Sequence, residues 1–234
     1  MNTLQISNSV FGMAITDYFE SKKPSEIEVI SEDFDDDFIP VEYLFRTYED
    51  WPEIEKIAIN RCEGKILEIG SLTGVHAEYL KEKGYDVTCC EMDPIASDFI
   101  EKKGYNIIKN DIFLEKPIPI YDYVLIMMNG LGILEKIEMM EDKLNHLLNF
   151  LKPGGKIISD SSYLDYLEEH KTDRYFGEFE YQITYKGYIS PKFNWLYIDY
   201  SKLKEKCKEF NLKCELLAYN EEDHHFLVEI SRPI

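Results

Sequence analysis

The stretch Lys65-Ile66-Leu67-Glu68-Ile69-Gly70-Ser71-Leu72-Thr73-Gly74 decides the fold. An apolar run ends in an acid and then enters a glycine-bearing turn, with helical spacing beyond it. The spacing predicts a buried strand over 65–69, a turn from Gly70 to Gly74, and a helix from His76 to Lys83 closed by Gly84. The same alternation continues outward. Strands are expected at 86–91, 105–109, 121–128 and 156–159, and helices at 93–103 and 137–151. Pro153-Gly154-Gly155 should break the second of these helices. Repeated strand–helix–strand units of this length mean a sheet wound with helices.

The flanks read differently. Toward the amino terminus, Asp50-Trp51-Pro52-Glu53 opens a helix with Pro in its first turn, and Ile54, Ile57, Ala58 and Cys62 recur at helical spacing. Residues 1–40 are polar and carry the acidic run Glu32, Asp33, Asp35, Asp36 and Asp37. They are expected to be a lid or a partly mobile segment. In the last third Phe179, Tyr181, Ile183 and Tyr185 alternate with polar residues, which predicts an antiparallel strand. Ser201 is expected to cap a helix, and strands are expected at 213–218 and 226–230. The expected architecture is α/β: a Rossmann-like, doubly wound, seven-stranded sheet. It is mostly parallel with an antiparallel terminal strand, in one domain over 41–234 with an insertion near 163–197.

Composition narrows the function. The chain has 234 residues, 26 Lys and Arg against 45 Asp and Glu, and a net charge of −19. This balance disfavours nucleic acid and anionic membrane surfaces, which are bound largely through Lys and Arg. Hydrophobic residues make up 44% of the chain, enough to exclude wholesale disorder. The five cysteines show no Cys-x-x-Cys pair, and no signal peptide or membrane-spanning run is legible, so a cytoplasmic protein with reduced thiols is expected. Adjacent His224 and His225 point to opposite faces of a strand and do not complete a metal set, so no metal is expected.

The turn after the first strand holds the chemistry. Gly70 and Gly74 allow a ligand close to the backbone. Glu91 ends the next strand about 20 residues past Gly70, where an acid accepts hydrogen bonds from both ribose hydroxyls. Asp111 follows the third strand, on the adenine side. The G-x-G-x-x-G pattern fails at Leu72 and Val75, and Glu68 has the wrong sign for a pyrophosphate. It has the right sign for an ammonium group. A nucleoside with an amine and a sulfonium fits: S-adenosylmethionine.

These residues resemble the class I S-adenosylmethionine-dependent methyltransferases. Glu68-x-Gly70-x-Leu72-x-Gly74 is similar to the first motif, with its middle glycine replaced by leucine. Val87-Thr88-Cys89-Cys90-Glu91-Met92-Asp93-Pro94 resembles the ribose-binding motif, and Asn110-Asp111-Ile112 the adenine-contacting one. Tyr121–Asn129 and Leu151-Lys152-Pro153-Gly154-Gly155-Lys156 resemble the fourth strand and the turn before the fifth. The resemblance implies cofactor contacts from Arg46, Glu68, Gly70, Ser71, Gly74, Glu91, Met92, Asp111, Ile112 and Asn129. Ile39–Arg46, Met128–Gly132 and Asp160-Ser161-Ser162 are similar to a bacterial subgroup without an assigned substrate. The resemblance thus implies the reaction type and not the acceptor.

On the acceptor side, Asn129, Tyr163, Tyr175 and Trp195 are candidates from a dense aromatic series that also includes Tyr166. Each has an ordinary alternative: Asn129 as a backbone-bonded turn residue, the aromatics as insertion core. His76, Asp160 and Tyr175 are candidate bases, with packing or capping the alternative for His76. The expected activity is methyl transfer by direct displacement to a small-molecule acceptor. A protein side chain is the second choice of acceptor. A catalytically silent binding or partner-binding module and a nucleotide-dependent oxidoreductase are the remaining readings.

Overall fold

The computed structural model describes residues 9–33, 37–164 and 174–233. Asp35, Asp36 and Tyr166 lie outside the described residues. The main sheet contains β3 (Lys65–Ile69), β4 (Asp86–Cys90), β5 (Asn106–Ile108), β6 (Tyr121–Ile126), β7 (Leu151–Ser162), β11 (Lys213–Asn220) and β12 (His225–Ser231). Its order is β11-β12-β7-β6-β3-β4-β5. β4 and β5 pair in parallel, as do β6 and β7, whereas β12 runs antiparallel to both β7 and β11. This is the Rossmann-like, mostly parallel arrangement with an antiparallel last strand.

A second, antiparallel sheet has the order β10-β8-β1-β2, with β9 on β8. Its strands are β1 (Glu26–Ser31), β2 (Asp37–Pro40), β8 (Glu178–Tyr185), β9 (Tyr188–Ile189) and β10 (Phe193–Leu196). Thus β1, from the first 40 residues, pairs with β8, from the segment read as inserted. The alternation of Phe179, Tyr181, Ile183 and Tyr185 has its physical cause here: all four are buried on one face of β8.

The chain divides into two compact units. The first comprises the residues up to Trp51, Glu68–Glu115 and Glu180–Phe193. Its helices are α1 (Val10–Ser21), α3 (Val75–Glu82) and α4 (Pro94–Lys102). Ile27, Leu44, Leu80, Cys89, Ala96 and Ile100 form much of its core. The second unit comprises Pro52–Leu67, Lys116–Phe179 and Asn194–Ile234. It holds α2 (Glu53–Arg61), α5 (Met140–Leu148) and α6 (Tyr200–Glu209). Met140, Leu144, Leu147 and Leu148 present one buried stripe of α5, and Val124, Leu125 and Ile126 are buried on β6. Each such side chain removed from water contributes roughly 1.5–3 kcal/mol.

Four local expectations are corrected. Pro52 is the residue before α2, and the helix begins at Glu53. The helix expected from Ile137 begins at Met140, because the preceding turn is tighter and the Ile137 N–H goes to the Glu178 carboxylate at 2.8 Å. Strand β7 begins at Leu151, not Lys156. Tyr121 pairs with Leu151 and Tyr123 with Lys156, so Lys152–Gly155 bulge out within the strand pair. Gly154, at φ +81°, permits that excursion. The cap of α6 is Asp199, whose carboxylate accepts the Lys202 N–H at 2.8 Å; Ser201 lies inside the helix.

Among the described residues no helix is long and apolar enough to cross a membrane. No cluster of three or more metal-ligating side chains occurs among them.

Candidate functional site

In the first unit, the turn after β3 is bound to the end of β4. The Gly70 N–H donates to the Cys90 carbonyl at 2.9 Å, and the Glu91 N–H donates to the Ile108 carbonyl at 3.0 Å. Gly70 and Gly74 both take left-handed backbone angles, φ +74° and +76°. Beyond Gly70 and its two chain neighbours, no described atom lies within 4 Å of the point where a Gly70 side chain would begin. Gly74 then opens α3. Leu72, at the replaced motif position, also has a positive φ, +40°. The turn therefore keeps a glycine-like backbone with a leucine in it, at a cost of about 1 kcal/mol.

Glu91 is 5% exposed. Its Oε1 accepts the Asp93 N–H at 2.8 Å and its Oε2 accepts the Leu72 N–H at 3.0 Å. Burial pushes its carboxyl up to about 7, against the pull of those N–H groups. A carboxylate held so firmly, with acceptor capacity left on each oxygen, suits two vicinal hydroxyls.

Glu68 is buried, 3.3 Å from His76 Nδ1, and Cys89 Sγ approaches its other oxygen at 3.9 Å. His76 is also edge-on to Trp51. Two candidate roles thus fall on one contact: the acid read for an ammonium group and the histidine read as a base. Ser71 Oγ donates to the Glu68 carbonyl at 3.1 Å, which fixes the turn. Asp111 starts a short 3-10 turn and accepts the Phe113 N–H at 2.9 Å, and Ile112 beside it is buried. Met92 is largely exposed. Arg46 lies over the Tyr43 ring, 3.4 Å from its centre, and its Nε donates to the Tyr43 carbonyl at 2.7 Å.

In the second unit, Asn129 follows β6 with φ +57°. Its side-chain oxygen accepts the Ser162 hydroxyl at 2.8 Å. Asp160 is fully buried and accepts the N–H groups of Asn129 and Gly130, each at 2.9 Å. It also meets His225 Nε2 at 2.7 Å. Asp160 therefore holds the turn after β6. The Tyr175 hydroxyl donates to the Asp199 carboxylate at 2.8 Å, and burial with that carboxylate pushes its phenol far above the ordinary range. Tyr163 packs edge-on against Phe176 and His224. Trp195 covers Gly132, where a Cβ would land on its indole ring.

Three working residues were not singled out from the sequence. Thr73 Oγ1 donates to the Leu44 carbonyl at 2.6 Å. Asp93 reads as a helix start and as part of the stretch resembling the ribose-binding motif, with no partner of its own. It also accepts the Gly12 N–H at 2.8 Å, while its own N–H holds Glu91. His225 was weighed only as a metal ligand. Helix-start signals of the Asp-Pro type carry Asp93, but no sequence signal carries the other partners, which are up to 81 residues away.

The residues gathered around Gly70 and Glu91 fit a nucleoside bearing a charged amino group. No protein-family model matches the chain, and no curated protein matches it. Among solved structures it is similar to an S-adenosylmethionine-dependent methyltransferase from Bacteroides fragilis in complex with S-adenosyl-L-homocysteine. The two are 30% identical, over 97% of this chain and 96% of that one, with a TM-score of 0.89. The CcbJ methyltransferase of Streptomyces caelestis shares the fold at 14% identity, 97% and 99% coverage, and a TM-score of 0.61. So does a sugar N-methyltransferase of Streptoalloteichus, at 14% identity, 82% and 92% coverage, and 0.57. Identity sustained over nearly the full length of both chains carries more than fold. The chain belongs to the S-adenosylmethionine-dependent methyltransferases, and S-adenosylmethionine is its cofactor.

Proposed function

We propose that the chain methylates a small-molecule acceptor by direct displacement. The observation that carries this reading is Glu91, a buried carboxylate with each oxygen fixed by one backbone N–H. In this reading Glu91 holds the ribose, Asp111 and Ile112 flank the adenine, and Gly70, Ser71 and Gly74 give the backbone approach. Glu68 takes the amino group, with Arg46 toward the carboxylate and Met92 contributing at the edge. The bound cofactor supplies an electrophilic methyl on a good leaving group, so the protein's work is alignment and exclusion of water. Tyr163, Tyr175 and Trp195 belong to the acceptor side as aromatic walls. The strongly acidic balance favours a small molecule over nucleic acid. The free cysteines favour the cytoplasm.

A binding module without turnover is the second reading. It draws on Asp160 and Tyr175, whose polar atoms are already engaged by protein partners. S-adenosylhomocysteine release from S-adenosylmethionine in a metabolite mixture separates the two.

The test of the cofactor site is a thermal-shift comparison. S-adenosylhomocysteine is expected to raise the melting temperature and NAD to leave it unchanged, because only a ligand of the folded state stabilises by mass action. Glu91→Ala should abolish most of that rise. A full shift in Glu91→Ala removes the ribose assignment.

A further inference from the structure

Helix α6 and strand β11 are joined by a tight reversal within the second unit. Asn211, at φ +56°, takes the left-handed angle that ends the helix. Its N–H donates to the Lys208 carbonyl at 3.2 Å, and the Leu212 N–H donates to the Cys207 carbonyl at 2.7 Å. These two bonds fold the chain back along the last turn of α6. Cys207 is 1% exposed and shares the buried face of α6 with Leu203, four residues before it. Beyond the reversal, Leu212 and Cys214 are partly buried while Lys213 and Glu215 are exposed. Cys214 therefore lies on the same side of the chain as Leu212. The Cys207 and Cys214 thiols stand within hydrogen-bond reach of each other.

The other three of the five cysteines are engaged differently. Cys62 Sγ donates to the Ala58 carbonyl and Cys90 Sγ to the Asn110 carbonyl, each at 3.4 Å. Cys89 and Cys90 are successive residues of β4 and point to opposite faces. Burial pushes both of their thiols up, and the charge of Glu68 adds to this at Cys89, that of Glu91 at Cys90. At the reversal the balance differs. A hydrogen bond from the Cys214 thiol draws the Cys207 thiol down, against its burial. Strand β11 ends the main sheet, with β12 beside it. An outermost strand can give as two sulfurs close to the roughly 2 Å of a disulfide bond.

We propose that Cys207 and Cys214 are an oxidisable dithiol, which hydrogen peroxide closes to a disulfide that ties the end of α6 to the outermost strand. Cys214, the more exposed of the two, meets the oxidant. Its sulfur bonds to one peroxide oxygen as the O–O bond breaks. The departing oxygen takes up the thiol proton and leaves as water, and Cys214 becomes a sulfenic acid. Cys207 Sγ then attacks that sulfur. The S–S bond forms, the S–O bond breaks, and the oxygen leaves as a second water with the Cys207 proton. Two electrons have passed from the sulfurs to the peroxide. A thiol reductant reopens the bond by exchange. None of the cofactor residues belongs to α6 or β11, so the inference stands apart from the methyl-transfer reading.

The test uses the full chain. Native protein is treated with hydrogen peroxide, its remaining thiols are blocked with iodoacetamide before and after unfolding, and it is cut with trypsin. Lys208 and Lys213 lie between the two cysteines, so the peptides that begin at Cys207 and Cys214 stay together only through the bond. The expected product is that linked pair, lighter by two hydrogens than its parts and separated by dithiothreitol, with Cys62, Cys89 and Cys90 alkylated. In Cys207→Ser, dimedone should trap the Cys214 sulfenic acid that the wild type consumes. Should a serine at this buried position not fold, Cys207→Ala takes its place, and the wild-type peptide map stands without either. Hydrogen exchange at the Asn211 and Leu212 amides should slow about tenfold on oxidation. Cys207 and Cys214 both recovered alkylated overturns the proposal, as does either one linked to another cysteine. Exchange left unchanged or made faster overturns the tie between helix and strand.

Discussion

The Leu72 N–H donates to Glu91 Oε2 at 3.0 Å, tying the turn after β3 to the end of β4. The bond is made by a leucine whose backbone is held at φ +40°. Two substitutions separate backbone from side chain. Leu72→Gly keeps the N–H and relieves the strain, so S-adenosylhomocysteine affinity should stay within about threefold. Leu72→Pro removes the donor and forces a negative φ, and affinity should fall at least tenfold. Calorimetric titration decides it; equal affinity for both variants would refute the Glu91 contact.

Glu91 sets a conflict between stability and binding. Its folded-state pKa of about 7 lies above the ordinary 4.5. A raised value means the contribution is present below pH 4.5 and is lost as pH rises through about 7. Glu91→Gln removes that loss, although its amide then turns an NH₂ toward one backbone N–H. At pH 8 the unliganded variant should be more stable than the wild type by about 2 kcal/mol. The gain should vanish near pH 4.5. Affinity for S-adenosylhomocysteine should drop about 100-fold at the same pH. Denaturant melts across pH 5–8 measure the first, and a variant less stable throughout contradicts it.

Gly12 lies in α1 yet is packed against Asp93. A Cβ there would overlap Asp93 Oδ1, the Ile95 side chain and the Ala96 backbone. Alanine normally favours a helix by about 1 kcal/mol over glycine. Here Gly12→Ala should instead displace α1 from α4. We expect faster proteolytic cleavage within residues 9–33 and weaker S-adenosylhomocysteine binding, because Asp93 also carries the N–H that holds Glu91. Unchanged cleavage would show that α1 does not depend on this contact.

Tyr175→Phe tests a candidate base by its structural role. The phenol bridges Asp199, accepting its N–H at 3.0 Å and donating to its carboxylate at 2.8 Å. Asp199 also caps α6. Loss of the hydroxyl should cost about 1–2 kcal/mol by urea melts. A variant of wild-type stability would mean that the bridge contributes nothing and the phenol is held there for another reason.

The mostly parallel seven-stranded sheet with its antiparallel last strand, and the cofactor, were legible in the sequence. Hydrophobic period and turn residues act over a few positions, so the strand before Gly70, the glycine turn and the strand ending near Glu91 can each be read locally. The ends of elements were less legible. A bulge at Lys152–Gly155 and the cap at Asp199 follow from pairing and hydrogen bonds that local pattern does not encode.

The partners of polar side chains were decided by tertiary structure. Asp160 reads as a possible base in the sequence, yet folding aims it at two N–H groups and an imidazole 65 residues away. His225 acquires its buried carboxylate partner only from that contact. Asp93 reads as a cap and becomes the joint between α1 and Glu91. The physical reason is the same throughout: composition and period fix which surfaces must leave water, whereas a buried polar atom's role is set by the one donor or acceptor that packing places within about 3 Å of it.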